Sequence, residues 1–284
     1  MPGFGDSRPS MSREERHLLG DLFERACGFV LREDLTFVAE RRLAPRLEAL
    51  GLRDFAAYHR YLRFDPRGPE ELETAIDLLV PHETYFFREP QQLEAFATEV
   101  LPAVEARAAR TRRLTVWSAG CATGEEPYTL AMLLVDRPSL AGWELDVLGT
   151  DLSKKALTTA RHAEFGATAL RATSPERLAR YFDALPHGRH RVKEAFRAPV
   201  RFGQLNLLDE RAAALLPRFD VIFCRNVLIY FEPATRRRVV DLFWERLLPG
   251  GFLLLGHSEN LLSLSTRFEI VQLTGDLVYR RPAP

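Results

Sequence analysis

No stretch of this chain approaches the roughly 20 consecutive apolar residues that cross a bilayer, and the opening MPGFGDSRPSMSREER lacks the apolar core of a signal peptide. A cytoplasmic protein without membrane insertion is expected. Net charge is also missing: 39 basic residues balance 39 acidic ones, so there is no overall electrostatic footprint for nucleic acid. Cysteine is scarce. Cys27, Cys121 and Cys224 are odd in number and far apart, which argues against a disulfide framework or a four-ligand zinc site and predicts three small core residues. The histidines are scattered, and His187 and His190 fall in a polar, glycine-containing stretch that reads as a solvated loop; no metal is expected. The dinucleotide fingerprint G-x-G-x-x-G is absent as well.

What is present is 284 residues with 46% hydrophobic content, enough for one large or two ordinary domains with a real core. Residues 12–80 read as helical throughout. Ser12 and Glu15 form a capping box for a helix to about Leu31. A second helical stretch carries Leu35, Ala39, Leu43, Leu47 and Leu50, with Pro45 expected to kink or split it. Two more helices are expected, from Asp54 to about Phe64 and from Pro69 to about Val80. Residues 1–80 therefore read as a small all-α domain. Between 41 and 63 it holds arginines 41, 42, 46, 53, 60 and 63 against Glu48 and Asp54, either an ordinary solvated helix surface or a docking face for an acidic partner. Residues 81–110 read as a linker and junction helix, in which Tyr85, Phe86, Phe87 and Arg88 suggest a buried junction.

From 111 the pattern changes to alternating strands and helices. Leu114–Ser118 is a short β run, Gly120 and Gly124 bracket a small-residue turn, and an apolar stripe at helical spacing follows from Glu125. Strand, glycine turn and helix together make a corner where backbone N–H groups can face a nucleotide. A second strand, 145–150, ends at Asp151, placed to accept from ribose hydroxyls; a plain helix-start acid is the alternative. Residues 183–204 read as a small β insertion with strands near 190–196 and 200–204. VRFGQLNLLD places Asn206 after a strand, and the apolar strand in FDVIFCRNVLIYF ends at Arg225 and Asn226. A continuous apolar strand is buried on both faces, as in a parallel sheet covered by helices, and a hairpin around 274–276 closes the chain. Gly120, Glu125, Asp151, Asn206, Arg225 and Asn226 all fall at or just after strand carboxyl ends, where such sheets bind ligands.

The L-P-G-G turn before a strand and a terminal hairpin resembles S-adenosylmethionine-dependent methyltransferases. More specifically, ETYFFRE (83–89), SAGCATGEEPY (118–128), GTDLS (149–153), NLL (206–208), FCRNVLIYF (223–231) and LPGGFLLLGHSE (248–259) resemble the chemotaxis receptor methyltransferases (CheR), over nearly the whole chain. The resemblance implies a Rossmann-like class I methyltransferase sheet behind an all-α N-terminal domain, with the methyltransferase domain over 111–284. It implies S-adenosyl-L-methionine as cofactor, leaving as S-adenosyl-L-homocysteine, and a cofactor site of His82, Thr84, Arg88, Gly120, Glu125, Asp151, Asn206, Leu207, Arg225 and Asn226, although asparagine is frequent where His82 stands. Tyr230 would lie beside the transferring methyl group. The substrate would be glutamate side chains on the cytoplasmic helical bundle of a methyl-accepting chemoreceptor, with Arg42, Arg46 and Arg53 as docking residues and a monomer as the default state. Some members grip a receptor tail with a β-subdomain, for which 183–192 is short.

Three rivals remain. A nicotinamide dehydrogenase would share the ribose acid but lacks its glycine fingerprint here. A nucleic-acid methyltransferase would carry prolines after the fourth strand, where Asn226-Val227-Leu228-Ile229-Tyr230 has none. A module that binds S-adenosylmethionine without turning it over is the non-enzyme alternative, motivated by His82.

Overall fold

The computed structural model describes residues 9–262 and 264–283; part of the N-terminal stretch discussed above, residues 1–8, lies outside them. The chain forms two compact units, one running to Pro81 and taking in Tyr230–Glu232, the other holding His82–Ile229 and the chain from Pro233 onward.

The first unit is helical: α1 (Arg13–Cys27), α2 (Thr36–Ala49), α3 (Phe55–Phe64) and α4 (Gly68–Leu79). The Ser12/Glu15 capping box is present, and Gly28 in the left-handed region ends α1, four residues earlier than the apolar pattern suggests. Pro45 does not split α2. Gly68 lets α4 start against the end of α3, since a Cβ there would lie 2.5 Å from the Leu62 carbonyl oxygen. A polar knot ties three of the helices: Arg46 of α2 binds both carboxylate oxygens of Glu71 of α4, and the Tyr58 hydroxyl of α3 donates to Glu71 at 2.7 Å. Burial alone would push the Glu71 carboxyl up, but the hydrogen bonds from Arg46 and Tyr58 outweigh it and hold the group below its ordinary value. Tyr230–Glu232 belong to this unit, in which the Val30 N–H donates to the Tyr230 carbonyl at 3.1 Å.

The second unit opens with helical turns α5 (Pro90–Ala95) and α6 (Leu101–Ala108), joined by a π-helical stretch at Phe96–Val100. Among the described residues its strands are β1 (Arg113–Ala119), β2 (Glu144–Asp151), β3 (Glu164–Phe165), β4 (Phe182–Ala184), β5 (His190–Val192), β6 (Val200–Gln204), β7 (Phe219–Cys224), β8 (Leu247–Leu255), β9 (Glu269–Leu273) and β10 (Asp276–Arg280). Seven form one sheet in the order β6-β2-β1-β7-β8-β10-β9, parallel except where β10 meets its neighbours. Every residue of β7 is buried, as its unbroken apolar run requires in a sheet covered on both faces. Cys27, Cys121 and Cys224 are all buried and free.

The insertion differs from expectation. Strand 200–204 does not hairpin with 190–196; it pairs parallel with β2 as the edge of the main sheet, while 194–197 is a helical turn. The small antiparallel sheet is instead β3-β5-β4. Phe165 of β3 and Phe182 of β4 pack edge-on against Phe86, at ring-centroid distances of 4.8 and 4.9 Å, and the Phe86 N–H donates to the Ala169 carbonyl. Phe86 is therefore buried against this sheet, with Phe87 buried next to it and Tyr85 half-buried. No helix among the described residues is long and apolar enough to cross a membrane.

Removing Arg46 would leave Glu71 buried without its cation, which costs about 3–5 kcal/mol for a fully buried pair; as a third of the Arg46 side chain is exposed, Arg46→Ala is expected to cost about 3 kcal/mol. Because the folded-state carboxyl of Glu71 is depressed, its stabilisation is present above the unfolded value of about 4.3 and is lost as pH falls through the lower folded value. Urea titrations of wild type and Glu71→Gln between pH 6 and pH 3 should show a steeper loss of stability in the wild type; parallel curves would contradict the assignment.

Candidate functional site

The site is built outward from the carboxyl end of β1. Gly120 and Gly124 have φ of +77° and +96°, a region open to glycine and costly for other residues. Between them the chain doubles back on β2: the N–H groups of Gly120 and Cys121 both donate to the Thr150 carbonyl, at 2.8 and 2.9 Å. Asp151 then closes the turn, one carboxylate oxygen accepting from the Ala122 N–H at 2.8 Å and the other from the Ser153 N–H at 2.9 Å. Both close approaches need glycine: a Cβ on Gly120 would sit 2.4 Å from a Val227 methyl, and one on Gly124 would sit 2.8 Å from the Ala160 Cβ.

Gly124 caps α7 (Glu125–Val135), so Glu125 enters at its first turn. Glu125 is 3% exposed and accepts from the Thr123 hydroxyl at 2.7 Å. Burial pushes its carboxyl up, partly offset by Thr123, the helix-start N–H and the positive charge of Arg171. It borders a cavity of about 350 Å³ that is also lined by His82, Thr84, Thr123, Phe165 and Arg171. The Arg171 guanidinium stacks 3.8 Å over the Tyr85 ring and pairs with Glu83.

At the end of β7 the polar groups converge. Arg225 is buried, with its Nε on Glu126 at 2.6 Å and its Nη1 on the Arg88 carbonyl at 2.8 Å; Glu126 also takes the Ser118 hydroxyl of β1 at 2.7 Å. The Arg225 guanidinium is thus engaged inside the protein, bracing β1, β7 and the 88–92 segment together. Asn226 follows with φ +60°, and its Oδ1 is buried with no hydrogen-bond partner among the described residues. Beyond β6, Asn206 turns the chain by accepting from the Leu208 N–H at 3.0 Å, with Leu207 half-buried beside it. The Arg88 side chain donates to the Glu83 carbonyl.

Eight of the expected cofactor residues thus lie at or just beyond the carboxyl ends of β1, β2, β6 and β7 or border the Glu125 cavity, with Arg88 and Leu207 alongside. Tyr230 falls in the helical unit, where its ring lies 6.2 Å from that of Phe29. In the same unit Arg42 donates to the Leu78 and Leu79 carbonyls at the end of α4, Arg46 is bound to Glu71, and Arg53 is exposed. Glu126, Gln92 and Arg171, which carry the polar bracing, have no periodicity or motif spacing in the sequence that marks them: each sits beside a more conspicuous neighbour or at the end of a short helical turn.

Two family models cover the chain: the all-alpha domain of CheR methyltransferases over residues 14–80 and their S-adenosylmethionine-binding domain over 82–276. The chain belongs to the CheR methyltransferase family. It is 36% identical to chemotaxis protein methyltransferase 1 of Pseudomonas aeruginosa, over 95% of this chain and 99% of that one. It is 35% identical to chemotaxis protein methyltransferase 2 of Vibrio cholerae, over 92% and 91%. It is 36% identical to the chemotaxis protein methyltransferase of Salmonella typhimurium, over 91% and 86%. This CheR-family chain is an S-adenosylmethionine-dependent methyltransferase of chemotaxis, with an all-α domain followed in sequence by a cofactor-binding domain built on a seven-stranded sheet. Its residues fit the cofactor: the buried Asn226 Oδ1 is an acceptor that a ligand amino group would satisfy.

Gly124→Ala would force a side chain into the left-handed region, about 1–2 kcal/mol, and against helix α8 (Lys154–His162), about 1–3 kcal/mol of overpacking. A loss on the order of 3 kcal/mol in chemical denaturation is expected, whereas Gly166→Ala, whose Cβ would meet nothing within 4 Å, should change little. Equal stability of the two variants would refute the close-approach account.

Proposed function

We propose that this chain methylates glutamate side chains on the cytoplasmic helical bundle of a methyl-accepting chemoreceptor, forming glutamate methyl esters in chemosensory adaptation. The observation that carries the proposal is the match to chemotaxis methyltransferases along almost the whole chain, both domains included. The enzyme works in the cytoplasm as a monomer, and its partner is protein rather than nucleic acid.

The cofactor supplies a methyl group already activated on a sulfonium. A glutamate carboxylate, with an ordinary pKa near 4.3, is ionised at neutral pH, so the protein has no proton to remove. Its work is to align and to exclude water, effects that together reach about 7–11 kcal/mol. Asp151 and Asn206 take the ribose and the base, with Leu207 against the ring. Gly120, Thr84, Arg88 and Glu125 hold the amino-acid end, His82 borders it, and Arg225 and Asn226 present the β7 corner. Tyr230 orients or desolvates the incoming carboxylate and takes no proton. Docking falls to Arg53 and Arg42 on the arginine-rich face of the helical unit; Arg46, bound to Glu71, supports that face from within.

Transfer of labelled methyl from S-adenosylmethionine to purified receptor cytoplasmic fragments, followed by mild alkali, should release volatile methanol; alkali-stable label would rule out the ester. Tyr230→Phe should slow turnover without abolishing it, and complete loss at normal cofactor affinity would point to proton transfer instead. Arg53→Glu should lower receptor methylation several-fold at unchanged S-adenosylhomocysteine affinity. It is a cleaner probe than Arg42→Glu, which would also strip the cap from α4. Unchanged methylation would place docking elsewhere.

A further inference from the structure

Four backbone N–H groups converge on one half-buried carboxylate just past β8. Glu259 Oε2 accepts from Asn226 at 2.7 Å and from Gly256 at 2.9 Å, and Oε1 accepts from Val227 at 3.0 Å and Ile229 at 3.2 Å. The β7 exit therefore wraps its amides around an anion, as backbone nests do around phosphate, except that here the anion is the protein's own. Burial pushes the Glu259 carboxyl up while these amides pull it back.

The clamp acts at a costly place. Asn226 holds a left-handed φ of +60°, a conformation that persists only where its surroundings over-determine it, and its N–H makes the shortest of the four bonds. Gly256 is required by the same contact: a Cβ there would meet Glu259 Oε2 at 2.9 Å and the Asn226 N at 3.0 Å. Release of Glu259 would free four backbone donors and allow Asn226 to relax from its left-handed backbone, so that its buried Oδ1, without a hydrogen-bond partner among the described residues, would no longer be held at the carboxyl end of β7.

We propose that Glu259 is a positioning residue for cofactor binding: it holds the backbone of 226–229 so that the Asn226 amide is presented at the carboxyl end of β7. It touches no substrate and acts through Asn226. The inference rests on Asn226 as a cofactor contact, and the test separates the two. Glutamine cannot replace this glutamate, because each carboxylate oxygen accepts two N–H groups and an amide NH2 on either side would face two donors.

The experiment is a double-mutant cycle on the full chain, with S-adenosylhomocysteine affinity measured by calorimetry for wild type, Glu259→Gln, Asn226→Gly and the double variant. Glycine accepts φ of +60° and deletes only the amide. Each single change is expected to weaken binding at least tenfold, and the double variant to bind no more than about threefold weaker than the weaker single, because both act through one group. A merely structural loss at Glu259 would multiply with that of Asn226→Gly, and such additivity would overturn the proposal. Glu259→Gln binding within twofold of wild type would overturn it too. Wild-type affinity in Asn226→Gly would instead remove Asn226 from the cofactor site, and the inference with it. Should Glu259→Gln fail to fold, Gly256→Ala, which crowds the same contact without removing the charge, enters the cycle in its place with the same outcomes.

Discussion

The fold of the catalytic unit depends on how the chain leaves β1. An L-residue chain cannot reverse there without two left-handed positions, and Gly120 and Gly124 supply them while pressing against Val227 and Ala160. The carbonyl of Thr150 and the carboxylate of Asp151 then take N–H groups that the turn would otherwise leave unpaired. Strand β2 is thus more than a neighbour of β1 in the sheet; its last two residues complete the turn that begins α7. A carboxylate so placed is already oriented before any ligand arrives, but it is shared with the backbone.

The two ends of the sheet are treated differently. At the amino-terminal end Asp220 of β7 takes the N–H and hydroxyl of Thr115 and pairs with Arg107, closing that edge with local partners. At the carboxyl end the buried charges reach further: Glu126 links Ser118 to Arg225, and Arg225 links β7 to the backbone of Arg88. A buried cation with several fixed acceptors contributes little net stability but defines one arrangement of its partners. Arginine at 225 is better read as the brace between β7 and the 88–92 segment than as a free hand for a ligand.

How much of this was legible in the sequence follows from how local each cause is. The capping box at Ser12, the glycine turn, the apolar run of β7 and the closing hairpin are written in neighbouring residues, and each stands where the pattern placed it. The partner of 200–204 is not local: nothing within VRFGQ says whether it pairs with 190–192 or with β2, and the pattern chose the nearer strand. Pro45 looked like a break, yet α2 continues through it, since packing of Leu43 and Leu47 outweighs one missing N–H. Polar residues at strand ends were visible because topology gathers them, whereas the bracing role of Glu126 and the internal engagement of Arg46 depend on which side chains meet, which spacing does not encode.

The three residues Tyr230–Glu232 give the helical unit an unusual dependence on time. About 150 residues separate Pro81 from Tyr230, so a ribosome that has finished the four N-terminal helices has still to make most of the methyltransferase sheet before the unit receives its last segment. At ~5–20 residues per second that delay is on the order of 10 s. During that interval Val30 lacks the Tyr230 carbonyl as its partner and Phe29 lacks its neighbouring ring. The helical segment is synthesised before the sheet but cannot be complete before it, and it would resist being cut out of the chain at Pro81 or passed intact to another protein as a freestanding module.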